Sequence, residues 1–225
     1  MEKLLKGKEV ITTFNASGAV RAATLGYVVL IVDIIDMSTS LEAALQKGAA
    51  LVLGASPDVT KAPVKVNPYK IGFWGGTKSK ELNTSIVILS EPRWGKKKER
   101  INNCSKVIEG IKDAGGKIED IIPNLGAEVG KVTDFDKKIV ICVSDTGGVA
   151  FDAAWQIHQE VTVGTIARTL TTKGKESAHL AAQRVVELAN GKNIAVVAAS
   201  SNSLEDILGA NYITQTIIEM GYLNI

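Results

Sequence analysis

The chain is poor in aromatic residues, at 5% of its length, and holds only two cysteines and two histidines. So few aromatics leave no row of rings on which successive nucleobases could stack. Basic residues number 26 and acidic ones 24, and the net charge of +2 offers no single-sign surface for a polyanion. Nucleic acid is therefore not an expected partner. No uncharged apolar run approaches the roughly 18 residues that a membrane span requires. The opening "MEKLLKGKEV" also lacks an apolar signal core. The cysteines form no C-x-x-C pair: Cys104 shares a helical face with Ile101, Val107, Ile108 and Ile111, and Cys142 sits inside "IVICV". Both read as small core residues rather than as a disulfide or a nucleophile. These absences point to a soluble protein in a reduced, cytoplasmic setting.

Three common site signatures are missing too. There is no G-x-S-x-G elbow, and His158 and His179 both fall on presumed helices. A serine–histidine hydrolase thus has little support. Neither G-x-x-x-x-G-K-[ST] nor G-x-G-x-x-G occurs, which removes the P-loop and the dinucleotide fingerprint.

What is present is an alternation of apolar runs and amphipathic segments over 225 residues, 45% hydrophobic and 22% charged. Strands are expected at "KEVITT" from Lys8, "YVVLIVDII", "AALVLGA", "SIVILS", "KIVICVS", "TVGTIART" and "NIAVVAAS". Helices are expected after Asn15, over Leu41–Lys47, Lys97–Ala114 and "FDAAWQIHQ", and through "ESAHLAAQRVVELANG" and Leu204–Met220. Such alternation predicts a single α/β domain, a three-layer α/β/α sandwich around a mixed, largely parallel sheet. Between Ser56 and Thr84 the pattern breaks, with three prolines, several lysines and a Gly-Gly. This reads as a long irregular excursion, lid-like in character.

The candidate site starts at "IVDIIDMSTS", Ile31 to Ser40. Asp33 sits in an apolar strand, Asp36 follows at its exit, and Ser38, Thr39 and Ser40 come next. An uncompensated buried carboxylate is costly, so each acid needs a cation, a set of donors or a proton. A helix starting at the carboxyl end of a strand offers free amides and a positive dipole to an anion. Mg²⁺ reconciles the acids with such an anion, because it takes one or two carboxylates and accepts phosphate oxygens. The alternative keeps Asp36 on an exposed turn and Asp33 satisfied by amides or a lysine. Thr39-Ser-Leu-Glu42 and Asn202-Ser-Leu-Glu205 have capping form, so Glu42 and Glu205 either finish helix ends or face a ligand. "TLTTKGKESA", Thr169 to Ala178, places hydroxyls, a glycine and two lysines ahead of a helix and could cradle phosphate. "SDTGG" puts Asp145 and a glycine pair at another strand exit, as a second ligand loop or a tight turn.

"LIVDIIDMSTSLEAALQKGAALVL" resembles the N-terminal signature of the 2-phosphosulfolactate phosphatase family. "VVAASSNSLEDILGANYI" is similar to that family's closing strand and helix, and "LTTKGKESA" to its Thr-rich loop. The resemblance covers about a third of the chain. It implies an α/β/α fold and Mg²⁺-dependent removal of phosphate from a small sulfonated hydroxy acid, on the route to coenzyme M. Asp33 would be the acid of the first motif, beside Ser38 and Thr39. Thr171, Thr172 and Gly174 would belong to the middle loop, and Glu205 and Asp206 to the closing motif. Two departures stand out: Asp36 occupies the place of the family's arginine, and the family's glycine-rich Glu-Arg stretch is missing.

The expectation is then a Mg²⁺-dependent phosphatase acting on a small anionic phosphate ester. Asp33, Asp36 and Lys173 would be catalytic, and Asp33, Glu205 and Asp206 would hold the metal. Ser38, Thr39, Arg168, Thr171, Thr172, Gly174 and Lys175 would bind substrate. A non-catalytic anion-binding module on the same fold is the rival, favoured by the acid at position 36. A homo-oligomer is the expected assembly.

Overall fold

The computed structural model describes residues 9–223, so Lys8, the expected start of the first strand, lies outside the described residues. The elements in chain order are β1 (Val10–Phe14), α1 (Asn15–Thr24), β2 (Val28–Val32), α2 (Met37–Gln46), β3 (Leu51–Ala55), α3 (Pro68–Glu81) and β4 (Ser85–Ser90). They continue with α4 (Lys97–Asn103), α5 (Ser105–Asp113), β5 (Lys117–Pro123), a 3₁₀ helix (Gly126–Lys131), β6 (Ile139–Val143), α6 (Gly147–Trp155), β7 (Val161–Gly164), α7 (Gly174–Ala189), β8 (Ile194–Ala198) and α8 (Leu204–Glu219).

The strands form two four-stranded sheets, ordered β1-β8-β2-β7 and β3-β6-β4-β5. Every pairing is parallel. A single mixed sheet was expected, and two wholly parallel ones are found. The uninterrupted apolar runs of β2, β6 and β8 account for the parallel pairing, since all their residues are buried. Continuous Val/Ile-rich runs suit strands covered on both faces, where alternation would leave a polar side in the core.

Helices flank both sheets, so the expected α/β/α layering is present around each. Val28, Leu30 and Val32 of β2 face a cluster with α7 and α8, while Val29 and Ile31 face the larger cluster shared with the second sheet. Helices α2 and α6 touch strands of both sheets, and α3 and α5 pack on the second. Among the described residues no helix is long and apolar enough to cross a membrane.

The excursion after Ser56 is shorter than the sequence suggests. Helix α3 begins at Pro68, with the Asn67 side chain accepting the Lys70 amide at 3.1 Å. Its three glycines argue against a helix on propensity, at about 1 kcal/mol each relative to alanine. Packing reverses that. A Cβ on Gly72 would lie 2.2 Å from the Val107 carbonyl oxygen, and one on Gly110 would lie 2.1 Å from that of Tyr69. Helices α3 and α5 therefore meet backbone to backbone, which only glycine permits. Similarly, the single expected helix over Lys97–Ala114 is interrupted at Cys104. Both cysteines are buried and unpaired, as expected, and burial pushes the Cys104 thiol up to about 12.

The remaining loop, 56–67, is closed at its base by one buried carboxylate. Asp152 of α6 accepts from the Ser56 hydroxyl at 2.6 Å, the Asn67 amide at 2.9 Å and the Gln156 amide group at 2.7 Å. Replacing Asp152 by alanine strands these donors in a buried site, at a cost of about 3 kcal/mol. Asp152→Ala is expected to lower the urea midpoint accordingly and to speed proteolytic cleavage within residues 57–66. Unchanged cleavage there would show that Asp152 does not close the loop.

Candidate functional site

The chain crosses between the sheets twice, and each crossing leaves from a strand's carboxyl end. After β2 it passes through α2 to β3, and after β6 it returns through α6 to β7. Open parallel sheets bind ligands at such edges, where strand order switches. Asp33 stands at the junction. It is the first residue past β2 and is 4% exposed. Its Oδ2 accepts the Gly147 amide of α6 at 2.9 Å and, more weakly, the Met37 amide of α2 at 3.4 Å. One carboxylate oxygen thus caps both crossover helices. Gly147 has no freedom to change, because a Cβ there would lie 2.2 Å from that oxygen. Its neighbour Gly148 would drive a Cβ to 2.1 Å from the Ala55 carbonyl oxygen.

Burial pushes the Asp33 carboxyl from the ordinary 3.8 up to about 7. The nearby charges of Asp206 and Asp36 push the same way, and the two amides pull back. Asp206 of α8 is buried as well, with Oδ1 accepting the Ile34 amide at 2.8 Å and Oδ2 the Ser200 amide at 3.2 Å. Burial raises its carboxyl too, opposed by those amides.

Asp36 sits closer to solvent and is paired with Arg93, which follows β4. The same guanidinium donates to the Ile35 carbonyl at 2.7 Å and lies 3.9 Å from Glu91. Thus a cation from the second sheet meets the acid that stands where the resembled motif has an arginine. Glu91 accepts from Asn124 at 3.1 Å, and burial, then Asp36, raise its carboxyl.

Two adjoining cavities open beside these groups. The first, of about 660 Å³, is lined by Asp36, Glu91, Pro92, Arg93, Ser144 and Asp145, among others. The second, of about 610 Å³, is lined by Asn15, Ala16 and Ser17 at the start of α1, Thr146 and Val149 at the start of α6, and Thr60 and Lys61 of the loop. Val59 and Asp145 belong to both walls. Helix α1 has no acidic residue in its first turn and no side chain capping its N-terminus, whereas the first two amides of α6 donate to Asp33 and to the Ser144 hydroxyl, at 2.9 Å each. The Thr60 hydroxyl is buried without a hydrogen-bond partner among the described residues.

The other residues expected from the sequence are placed differently. Helix α2 starts at Met37 rather than Leu41, so Ser38, Thr39 and Ser40 lie in its buried first turns. Ser38 donates to the Ile31 carbonyl at 2.9 Å, and Thr39 donates to that of Ile34 and meets Thr165 at 2.8 Å. Their hydroxyls are spent on the loop itself. Glu42 closes no capping box; it is buried and ion-paired with Arg184 of α7. Ser203, not Asn202, caps α8, accepting the Asp206 amide at 3.1 Å, and Glu205 is exposed beside it. Thr171 donates to the Gln46 side chain at 2.8 Å, and Thr172 and Thr169 join the same cluster. Gln46 ends α2, about 13 Å of helix rise from Met37. Arg168, Lys173 and Lys175 are exposed, Gly174 starts α7, and none of the four lines either cavity. Asp33 and Asp36 are brought together, and the 168–175 loop is set apart from them.

The sequence reading missed Arg93, Glu91 and Lys61. Only a pairing of strand exits could have found them, since "EPRW" and "VTKA" carry no motif. Among the described residues no three His, Cys, Asp or Glu side chains are grouped to hold a metal. Mg²⁺, which needs one or two carboxylates beside water and phosphate oxygens, is the divalent ion such a donor set suits. Asp145 is exposed with no hydrogen bond to its carboxylate among the described residues, and Asp36 and Glu91 share its cavity.

The raised Asp33 carboxyl has a consequence for stability. The folded chain holds this proton more tightly than the unfolded one, so its stabilisation is full below about pH 4 and is lost as pH rises through about 7. Asparagine keeps an acceptor for the two amides and carries no charge. Asp33→Asn is expected to melt roughly 5 °C above the natural chain at pH 8.5 and close to it at pH 4. A melting difference that does not vary across that range would detach Asp33 from the pH dependence.

No protein-family model and no curated protein matches the chain.

Proposed function

We propose that the chain is a Mg²⁺-assisted hydrolase of a small anionic phosphate monoester, acting in the paired cavities at the carboxyl edge. What supports this reading is the adjacency of two complementary surfaces: an acidic wall holding one arginine, and a wall formed by the uncapped start of α1 with Lys61. The phosphate seat is thereby moved from the 168–175 loop to the start of α1, beside Lys61. Free amides and the positive end of α1 favour an anion there. The Thr60 hydroxyl, buried without a partner, adds a donor on the same wall.

Asp145 and Asp36 are the side chains that would hold the ion. When bound, Mg²⁺ supplies Lewis-acid stabilisation of charge on the phosphoryl oxygens. Arg93 lies on the same wall to oppose the charge that develops as the ester P–O bond breaks. Glu91 is the half-buried carboxylate placed to accept a proton from the attacking water. Water oxygen bonds to phosphorus, and the alcohol departs with a proton. Asp33 acts behind this wall, fixing the turn that carries Asp145 through the Gly147 amide.

A non-catalytic anion-binding module is the second reading. It is favoured by one observation: Arg93 already spends donors on Asp36 and the Ile35 carbonyl.

Release of inorganic phosphate from a panel of small phosphate esters, with and without Mg²⁺, decides between them. Mg²⁺-dependent release is expected. Arg93→Ala and Asp145→Asn should each cut kcat/KM by at least about 100-fold, in line with loss of one stabilising donor. Lys173→Ala should leave it unchanged. No release across the panel, together with a melting temperature raised by phosphate, would establish the binding module instead.

A further inference from the structure

The stretch "IIPNLG" closes β5 and carries a fully buried asparagine, Asn124. Its backbone amide donates to the Ser90 carbonyl at 3.2 Å, which pins the exit of β5 to that of β4. Its side chain reaches in two directions. Oδ1 accepts from the Ser40 hydroxyl of α2, and Nδ2 donates to Glu91 Oε1 at 3.1 Å. Ser40 is itself wholly buried, and its hydroxyl also lies 3.3 Å from the Gly126 carbonyl oxygen.

A buried amide costs free energy unless both of its ends are bonded, and an aliphatic side chain of similar size would fill the position without that demand. What the amide adds is direction. Turned over, it would put its oxygen against the Glu91 carboxylate, so the carboxylate selects the orientation in which Nδ2 faces it. The nearby cation, Arg93 Nε at 3.9 Å, lies on Oε1 as well. Both side-chain partners of Glu91 therefore hold the same oxygen. Glu91 lines the first cavity, whereas Asn124 lines neither. The amide touches the carboxylate and not the cavity, so any part it has in chemistry passes through Glu91.

Resting on the phosphate-ester reading above, we propose that Asn124 is a positioning residue for that reaction: anchored by Ser40, its amide fixes Oε1 of Glu91 and leaves Oε2 for the attacking water. The proton of that water passes to Oε2 as its oxygen bonds to phosphorus and the P–O bond to the alcohol breaks. Ser40, Asn124 and Glu91 then form one relay of fixed groups from α2 to the cavity wall.

Steady-state release of phosphate by the full chain with Mg²⁺, from para-nitrophenyl phosphate and from glycerol phosphate, tests this. Asn124→Ala is expected to lower kcat about tenfold, as for a misplaced base, and to leave KM within about twofold. Glu91→Gln should lower kcat about 100-fold. In the Glu91→Gln background, adding Asn124→Ala should cost less than about twofold, because no base remains to position. An equal loss in both backgrounds overturns the proposal, since Asn124 would then act on the fold alone. A natural kcat in Asn124→Ala, with or without a raised KM, also overturns it and leaves the phosphate-ester reading standing. Ser40→Ala keeps the donor to Glu91 and removes its anchor, and is expected to lower kcat about threefold with KM unchanged. Should Asn124→Ala fail to fold, a natural kcat in Ser40→Ala overturns the proposal in its place. Release from neither ester by the natural chain removes the reaction and the positioning role together.

Discussion

One carboxylate oxygen ties together the two crossings between the halves of this fold, which also share the larger apolar cluster. Asp33 leaves the first sheet and accepts amides from the helices that carry the chain to the second sheet and back. Its position forces glycine at 147 and excludes solvent from its own side chain. Holding a buried negative charge is expensive, and the protein meets that cost with helix N-termini on one side and a raised proton affinity on the other. The site next door lies along the same edge, where Asp36, Glu91, Asp145 and Arg93 line one wall.

The crevice draws on both sheets. Asn15, Ala16 and Ser17 follow β1 and Asp36 follows β2, while Glu91 and Arg93 follow β4 and Asp145 follows β6. The loop of residues 56–67 joins them by lining both cavities, and Asp152 keeps its ends together. A ligand filling both cavities would therefore touch groups far apart in the chain.

Much of the fold was legible because burial on both faces writes itself as uninterrupted apolar runs. "VVLIV", "IVICV" and "IAVVA" announce parallel strands without any knowledge of partners. Asp33 was legible for the same reason, since an acid closing such a run demands an explanation. Helix α3 was not, because the glycines that lower its propensity are the ones that let it touch α5. The threonines of the 168–175 loop misled in the opposite direction. Hydroxyls beside a glycine look ready for phosphate, but these meet Gln46.

Composition and periodicity alone determined the alternation of strands and helices, the buried cysteines and the acid at the end of β2. Those features depend on neighbours along the chain, and local preference with hydrophobic period records them. Tertiary structure decided that there are two sheets, that Arg93 answers Asp36, and that Asp33 meets the start of α6. Each of these is a meeting of residues tens of positions apart. No local pattern encodes such a meeting, because the energy that selects it is gained only when both partners are already in place.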